Sequence, residues 1–152
     1  MKDLTKEIGK ILDVRQTIEN KTAVERDADA AAVRSFFETV VRGAFEEFSA
    51  ALKAHGRTVA ITIGGTSASF IAKSGDREEL NFSVKHQHRR VVAPVMELTD
   101  PSTGRRFRAT GYFRSGLQDY GVDELSKEEI VAHMLEEYRR HVSSRDGRRT
   151  NP

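Results

Sequence analysis

The stretch from residue 57 to residue 113 alternates apolar and polar residues with a period of two, in five short runs. Period two is the repeat of a β-strand that buries one of its faces. The connections between the runs are short, at residues 64–66, 74–78, 86–89 and 99–104. Connections of this length join antiparallel strands, whereas parallel strands need a crossover of about a dozen residues or more. The pattern therefore predicts a five-stranded antiparallel meander and excludes a doubly wound dinucleotide-binding fold.

Helical periodicity flanks these strands on both sides. From about Asp27 to His55, apolar residues recur every three or four positions in a wide stripe that includes four phenylalanines, Phe36, Phe37, Phe45 and Phe48. Such a stripe is typical of a helix buried in a core. Downstream, Ser126 and Glu129 form the capping-box pattern that starts a C-terminal helix. We thus predict an α+β domain in which the long core helix and the C-terminal helix pack on one face of the meander.

A further amphipathic helix is predicted before the core helix. Its apolar stripe is narrow, because Leu4, Ile8, Ile11 and Ile18 follow one face and the opposite face is charged. We expect a break at residues 20–22, where Asn, Lys and Thr interrupt the pattern, so the predicted order is α-α-β-β-β-β-β-α. This first helix can pack on the rest of the domain, or it can pair with the same helix of a second chain.

The length of the chain, 152 residues, is that of one compact domain. We assign residues 1–142 to a single α+β domain with residues 1–22 at its periphery. We expect residues 143–152 to form a disordered basic tail. The chain has no cysteine, which excludes disulfides, thiolate metal sites and thiol catalysis. It also lacks an apolar signal segment and the run of about 18 apolar residues that a membrane span needs, so we expect a cytoplasmic protein without membrane contact.

Positive charge is concentrated in the predicted sheet, since residues 56–118 hold ten Lys and Arg against five Asp and Glu. If Phe107, Ala109, Gly111 and Phe113 face the helices, the alternate residues of the last strand face outward. That outer set, with Lys85 of a neighbouring strand, is Arg106, Arg108, Tyr112 and Arg114. Basic side chains beside an aromatic ring on an open sheet can hold a nucleic-acid backbone and stack a base. A polar outer face is also ordinary for an antiparallel sheet, so nucleic-acid binding is the alternative function.

Two histidines, His86 and His88, lie at the predicted hairpin connection after the third strand. Alternate residues of a strand share a face, so the pair resembles part of a metal site. However, Lys85, Arg89 and Arg90 adjoin the pair, and no carboxylate lies within six residues on either side. Positive neighbours oppose a bound dication, so we expect a cationic rim without a metal. On the C-terminal helix, the spacing of His133 from the carboxylates at positions 129 and 137 favours a helical ion-pair network beside the core stripe over a metal site or a tuned base.

No pattern in the chain supplies a catalytic nucleophile or a cofactor site. The turn at Gly64 and Gly65 joins two strands and leads into no helix, which a phosphate-binding loop requires. There is no G-x-S-x-G motif. We therefore expect a small, non-enzymatic binding or adaptor protein without cofactors. Its partner would be another protein, or a second copy bound through residues 1–22; a small-molecule or enzymatic pocket between the sheet and the helices is the third hypothesis.

Overall fold

The computed structural model describes residues 3–113 and 121–149, with side chains as far as residue 142. The helices and strands follow one another along the chain as α1 (Leu4–Phe36), a π-helical turn (Phe37–Val41), α2 (Arg42–Lys53), β1 (Thr58–Ile63), β2 (Ser67–Ser74), β3 (Arg77–His88), β4 (Val91–Thr99), β5 (Arg106–Thr110) and α3 (Lys127–Arg149). The strands form one antiparallel sheet in the order β1-β2-β3-β4-β5. The helices pack on one face of it, so the predicted fold class is confirmed.

The first helix passes through residues 20–22 without the expected break. The side chains there are satisfied within the helix: the Thr22 hydroxyl donates to the carbonyl oxygen of Ile18 at 3.0 Å, and the Gln16 amide donates to Asn20 at 3.0 Å. At the N-terminus, the Asp3 carboxylate accepts a hydrogen bond from the backbone N–H of Thr5. Because no glycine or proline lies between residues 10 and 42, nothing forces the backbone out of the helix. The two predicted N-terminal helices are therefore one.

The π-helical turn at Phe37–Val41 lies where the long helix enters the core. Phe36 and Phe37 are both buried there, and their rings meet edge to face with centroids 5.7 Å apart. Burial begins at Val33 of α1 and continues through the turn into α2, so the last turn of α1 already belongs to the core.

The core forms where α2 and α3 cover the middle of the sheet. Phe45 of α2 packs edge to face on Phe70 of β2 at 5.4 Å and on Phe82 of β3 at 6.1 Å. Phe48 joins Phe70 to the ring of Tyr138 on α3. Around these rings lie the other large side chains that are fully buried, Phe37, Val33, Val41, Leu80, Val84, Ile130 and Met134. The four phenylalanines of the predicted core stripe are all buried, which confirms the stripe.

The last two strands differ in detail from the prediction. Proline cannot donate to a strand ladder, so Pro94 predicts an edge position or a bulge for its strand. β4 instead lies between β3 and β5, so Pro94 is not on an edge strand of the sheet. Pro94 is nevertheless tolerated, because its backbone is directed toward β5 at the very end of that ladder. Its carbonyl oxygen accepts a hydrogen bond from the Gly111 N–H at 2.9 Å, so only the donor that proline lacks is missing. Phe107 of β5 shares the helix-facing side with Leu98, as predicted, but it is 49% exposed because the helices do not extend over β5.

The C-terminal helix begins as the capping box predicts, with the Glu129 backbone N–H donating to Ser126 Oγ at 3.2 Å. α3 is helical as far as Arg149. Side chains from residue 143 onward, and residues 150–152 altogether, lie outside the described part of the chain. The division into a domain and a disordered tail stays a prediction.

Replacing Phe45 by alanine should lower the free energy of unfolding by about 3–5 kcal/mol, because the change leaves a cavity between the helix and two strands. Urea denaturation followed by circular dichroism measures this loss. Phe107→Ala is the matched control, since that ring is half exposed, and it should cost about 1 kcal/mol or less. Equal losses for the two variants would contradict the assigned core.

Candidate protein-binding surface

The first part of α1 projects from the domain with its apolar side chains uncovered. We call residues 4–24 the arm. Its exposed apolar side chains, 46–71% accessible, are Leu4, Ile8, Ile11, Leu12, Val14, Ile18 and Val24. Among the described residues, the ion pairs and hydrogen bonds of the arm join residues within the same helix. An apolar helix face left open to water is typical of an interaction site.

Four of these side chains lie along one side of the helix, interrupted at Arg15, and we call them the arm stripe: Leu4, Ile8, Ile11 and Ile18. At about 100° per residue they fall within a sector of roughly 80°. Arg15 lies in the same sector, and its guanidinium Nε is 3.0 Å from the Glu19 carboxylate. Val24 lies on roughly the opposite side of the helix, although its 67% exposure equals that of Ile11. The arm therefore has one apolar face, and Val24 is an apolar residue outside that face with the same exposure as Ile11.

An ion-pair cluster holds α1 to the β3–β4 hairpin just beyond the arm. The Arg90 guanidinium donates to Asp29 of α1 at 2.7 Å and to Asp123 at 3.0 Å. The hydrogen bond to Asp29, followed by that to Asp123, raises the pKa of Arg90 above its usual value. A cleft of about 720 Å³ lies here between α1 and the hairpin. This cluster ties the end of the arm to the sheet.

The residues of the predicted cationic rim are brought near this cluster, but they do not form one site. β3 continues to His88, so the hairpin turn is formed by Arg89 and Arg90, shorter than the predicted connection. Arg89 has a positive φ of 49°. His86 lines the cleft beside α1, with Nε2 2.6 Å from the carbonyl oxygen of Arg89, whereas His88 is exposed beyond a register shift in β3. Lys85 lies opposite Ala93.

The arginines of the outer sheet face are paired with carboxylates that the sequence reading did not place there. The Arg106 guanidinium reaches Glu78 at 2.9 Å and Glu97 at 3.2 Å, and Arg108 reaches Glu97 at 3.1 Å. Hydrogen bonds from Arg106 and then Arg108 lower the pKa of Glu97, so this carboxylate is charged at neutral pH. The ion pairs offset much of the positive charge that a phosphate backbone would meet. Nucleic-acid binding through this face stays a prediction.

The two remaining residues of that predicted face are Tyr112, which is 51% exposed, and Arg114, which lies outside the described residues. His133 is half-buried between the rings of Phe82 and Phe113. The pKa of His133 is lowered, mainly because the ring is buried, and a lowered pKa favours the neutral ring. Within residues 3–113 and 121–142, no three of His, Asp and Glu come together in a way that could hold a metal ion.

A buried polar cluster at the open end of the core was not found from the sequence. The Glu79 carboxylate, with a side chain 2% exposed, accepts hydrogen bonds from Arg57 Nε at 3.0 Å and from the Tyr138 hydroxyl at 2.9 Å. Strict alternation from Leu80 would place Glu79 on the outer face. A register shift opposite Ala72 and Lys73 instead turns it inward.

Opposing effects act on the pKa of Glu79. Burial by itself raises the pKa, but the hydrogen bonds from Arg57 and Tyr138 and the charge of Arg57 together lower it below the ordinary value of 4.5. The phenol of Tyr138 has its pKa raised, first by burial and then by its bond to Glu79. Beside the cluster, a cleft of about 410 Å³ lies over β3 and β4 and includes Phe107 and His141. The hypothesis of a small-molecule pocket between the sheet and the helices stays a prediction.

Comparison with protein-family models found no match, and comparison with curated proteins and with solved structures found none either. Within the described residues, no helix combines the length and the apolar character that crossing a membrane would require.

Glu79→Gln should lower the free energy of unfolding by about 1–3 kcal/mol well above pH 4.5, because it weakens the bond to Arg57. Since the folded-state pKa of Glu79 is depressed, the carboxylate's contribution is present above its ordinary pKa and is lost as the pH falls through the folded value. The variant should therefore lose less stability than the wild type on acidification below pH 4.5. Urea denaturation across this range measures the difference.

Tyr138→Phe is the matched control for this experiment, because it keeps the carboxylate and its ion pair and removes a single hydrogen bond. Because loss of the Tyr138 bond makes the pKa of Glu79 less depressed while the Arg57 bond remains, the acid dependence of this variant should lie between those of the wild type and Glu79→Gln. An unchanged acid dependence in Glu79→Gln would show that another carboxylate is responsible.

Proposed function

We propose that this protein is a cytoplasmic, non-enzymatic adaptor that binds an α-helix of a partner protein along the arm stripe. The observation that carries the proposal is the uncovered apolar face of residues 4–24, with Ile11 67% exposed. Soluble domains bury such an apolar face unless it serves an interaction. The stripe lies on a helix that continues into the core, so its backbone is ordered before the partner arrives. A preorganised helix loses less conformational entropy on binding than a disordered segment does.

The spacing of the arm stripe favours a helical partner. Steps of four and three residues between Leu4, Ile8 and Ile11 match the seam along which two helices interlock. Leu12 and Val14 flank the seam and widen it in the middle of the arm. Burying four Leu and Ile side chains contributes about 6–12 kcal/mol, against an association cost of about 4–15 kcal/mol. One arm alone therefore gives a weak, reversible complex.

Arg15 favours a different protein over a second copy as the binding partner of the arm stripe. It lies where the seam continues from Ile11 to Ile18. A parallel, in-register pair of arms would place Arg15 opposite Arg15 of the other copy, and such like charges repel. A partner helix with a carboxylate opposite Arg15 avoids this repulsion and adds an ion pair. We therefore favour a different protein, with self-association through the arm as the second outcome of the experiment.

Ile11→Glu should weaken binding of the partner at least about tenfold, because it introduces a charge at the centre of an apolar seam. Affinity capture with tagged full-length protein, followed by titration of each candidate partner, measures the effect. Val24→Glu is the matched control: the same change at the same exposure on the opposite side of the helix should leave binding unchanged.

Both residues are exposed, so both variants should unfold at the wild-type temperature, and circular dichroism checks this. Equal binding by wild type, Ile11→Glu and Val24→Glu would overturn the role of the arm stripe. A dimer in sedimentation that Ile11→Glu dissociates would show instead that the arm binds a second copy.

A further inference from the structure

The two edges of the sheet differ in how they are protected against pairing with another strand. The β5 edge carries arginines at positions 105, 106 and 108, and charged side chains of this kind prevent edge-to-edge association. The β1 edge, Thr58–Ile63, contains no charged residue and no proline, and it pairs with β2 in an unbroken register. It consists of five β-branched residues, which favour a strand, and one alanine, which a strand tolerates. Within the part of the chain that the structure describes, β1 is therefore an unprotected edge.

The hydrogen bond at the β1–β2 turn defines which backbone groups of β1 are free. The Gly64 N–H donates to the Ser67 carbonyl oxygen at 2.8 Å, so these two residues form a hydrogen-bonded pair. In an antiparallel ladder such pairs alternate with non-hydrogen-bonded ones. The backbone groups of residues 58, 60 and 62 are consequently directed toward β2. Those of Val59, Ile61 and Ile63 are directed away from it, toward the open edge.

We propose that β1 pairs antiparallel with β1 of a second copy about a two-fold axis at Ile61, joining the two sheets into one. With this register Ile61 lies opposite its own symmetry mate and Val59 lies opposite Ile63. All three outward-directed residues then take part, in roughly six hydrogen bonds. On the outer face Ala60 lies opposite Thr62 in the alternate, non-hydrogen-bonded positions. A shift of the axis by one residue leaves one outward-directed residue unpaired.

A second copy suits this edge because the strand is complementary to itself. A two-fold axis places each residue of β1 opposite a residue of β1 in the other copy. Since the strand carries no charge, no like charges meet, and β-branched side chains face one another across the new pair. The proposal does not depend on the arm. It adds a consequence for it, because a dimer carries two arms, and binding through both increases the avidity of a weak single contact.

The register is tested by disulfide crosslinking in the full-length protein, which has no cysteine of its own. Ala60→Cys and Thr62→Cys are prepared separately, mixed and oxidised. Residues in a non-hydrogen-bonded pair have Cα atoms about 4.5 Å apart, within the range of a disulfide. Mass spectrometry should therefore find the mixed 60–62 disulfide in severalfold excess over the 60–60 and 62–62 products. Both positions are exposed, so the substitutions leave the core intact.

Thr110→Cys, an exposed position on β5, is the control and should crosslink no more than random collision allows. Random collision in an equimolar mixture yields the 60–62 product in only about twofold excess over each of the other two. A mixed yield no higher than that, or crosslinking of Thr110→Cys to the same extent, would overturn the proposal.

Sedimentation velocity separates this interface from the arm. Ile61→Lys places a charge at the centre of the paired edge and should weaken the dimer at least about tenfold. Ile11→Glu should leave the dimer unchanged. Dissociation by Ile11→Glu but not by Ile61→Lys would overturn the β1 pairing. The 60–62 disulfide could also fail to form while Ile61→Lys abolishes binding of a different protein. This result would show that the edge binds a strand of that protein, and it would likewise overturn self-pairing.

Discussion

The packing of Phe45 against Phe70 and Phe82 is the contact on which the rest of the structure depends. It joins the long helix to two neighbouring strands of the meander, and Phe48 extends the contact to α3 through Tyr138. Because the helix is continuous through the π-helical turn, fixing α2 on the sheet also fixes the direction in which the arm leaves the domain. The ion pair of Arg90 with Asp29 supports that direction from the other side. The exposed stripe is thus held by a core contact remote from it.

Most of the fold could be predicted from the sequence because its signals are local. Alternation and short connections defined the five strands, and the capping box defined the start of the C-terminal helix. The break expected at residues 20–22 was wrong for a physical reason. Threonine and asparagine are poor helix formers on average, but here their side chains bond to groups one turn away within the helix. Composition alone does not distinguish this case from a loop.

The candidate site depended on information that alternation does not contain. The stripe of Leu4, Ile8, Ile11 and Ile18 was visible in the sequence, but its exposure follows from the unbroken helix, since a break would have allowed it to fold back. The pairing of Arg106 and Arg108 with Glu97 follows from the register of β4 against β5. Glu79 becomes buried through a register shift that no residue type announces. Pairings between strands and local irregularities were therefore the parts that sequence patterns could not supply.

The meander also has a consequence for how the chain folds during synthesis. Each strand pairs with the strand made just before it, so contacts in the sheet are close in sequence, and topologies of this kind fold rapidly. As the chain emerges from the ribosome, β2, β3 and β4 are each covered on their free side by the next strand. Within the described chain, the outer edges of β1 and β5 stay free, and of these two strands only β1 carries no charged residue. On polysomes, where nascent chains are close together, copies of the protein would therefore pair through β1, the first strand of the sheet to be synthesised.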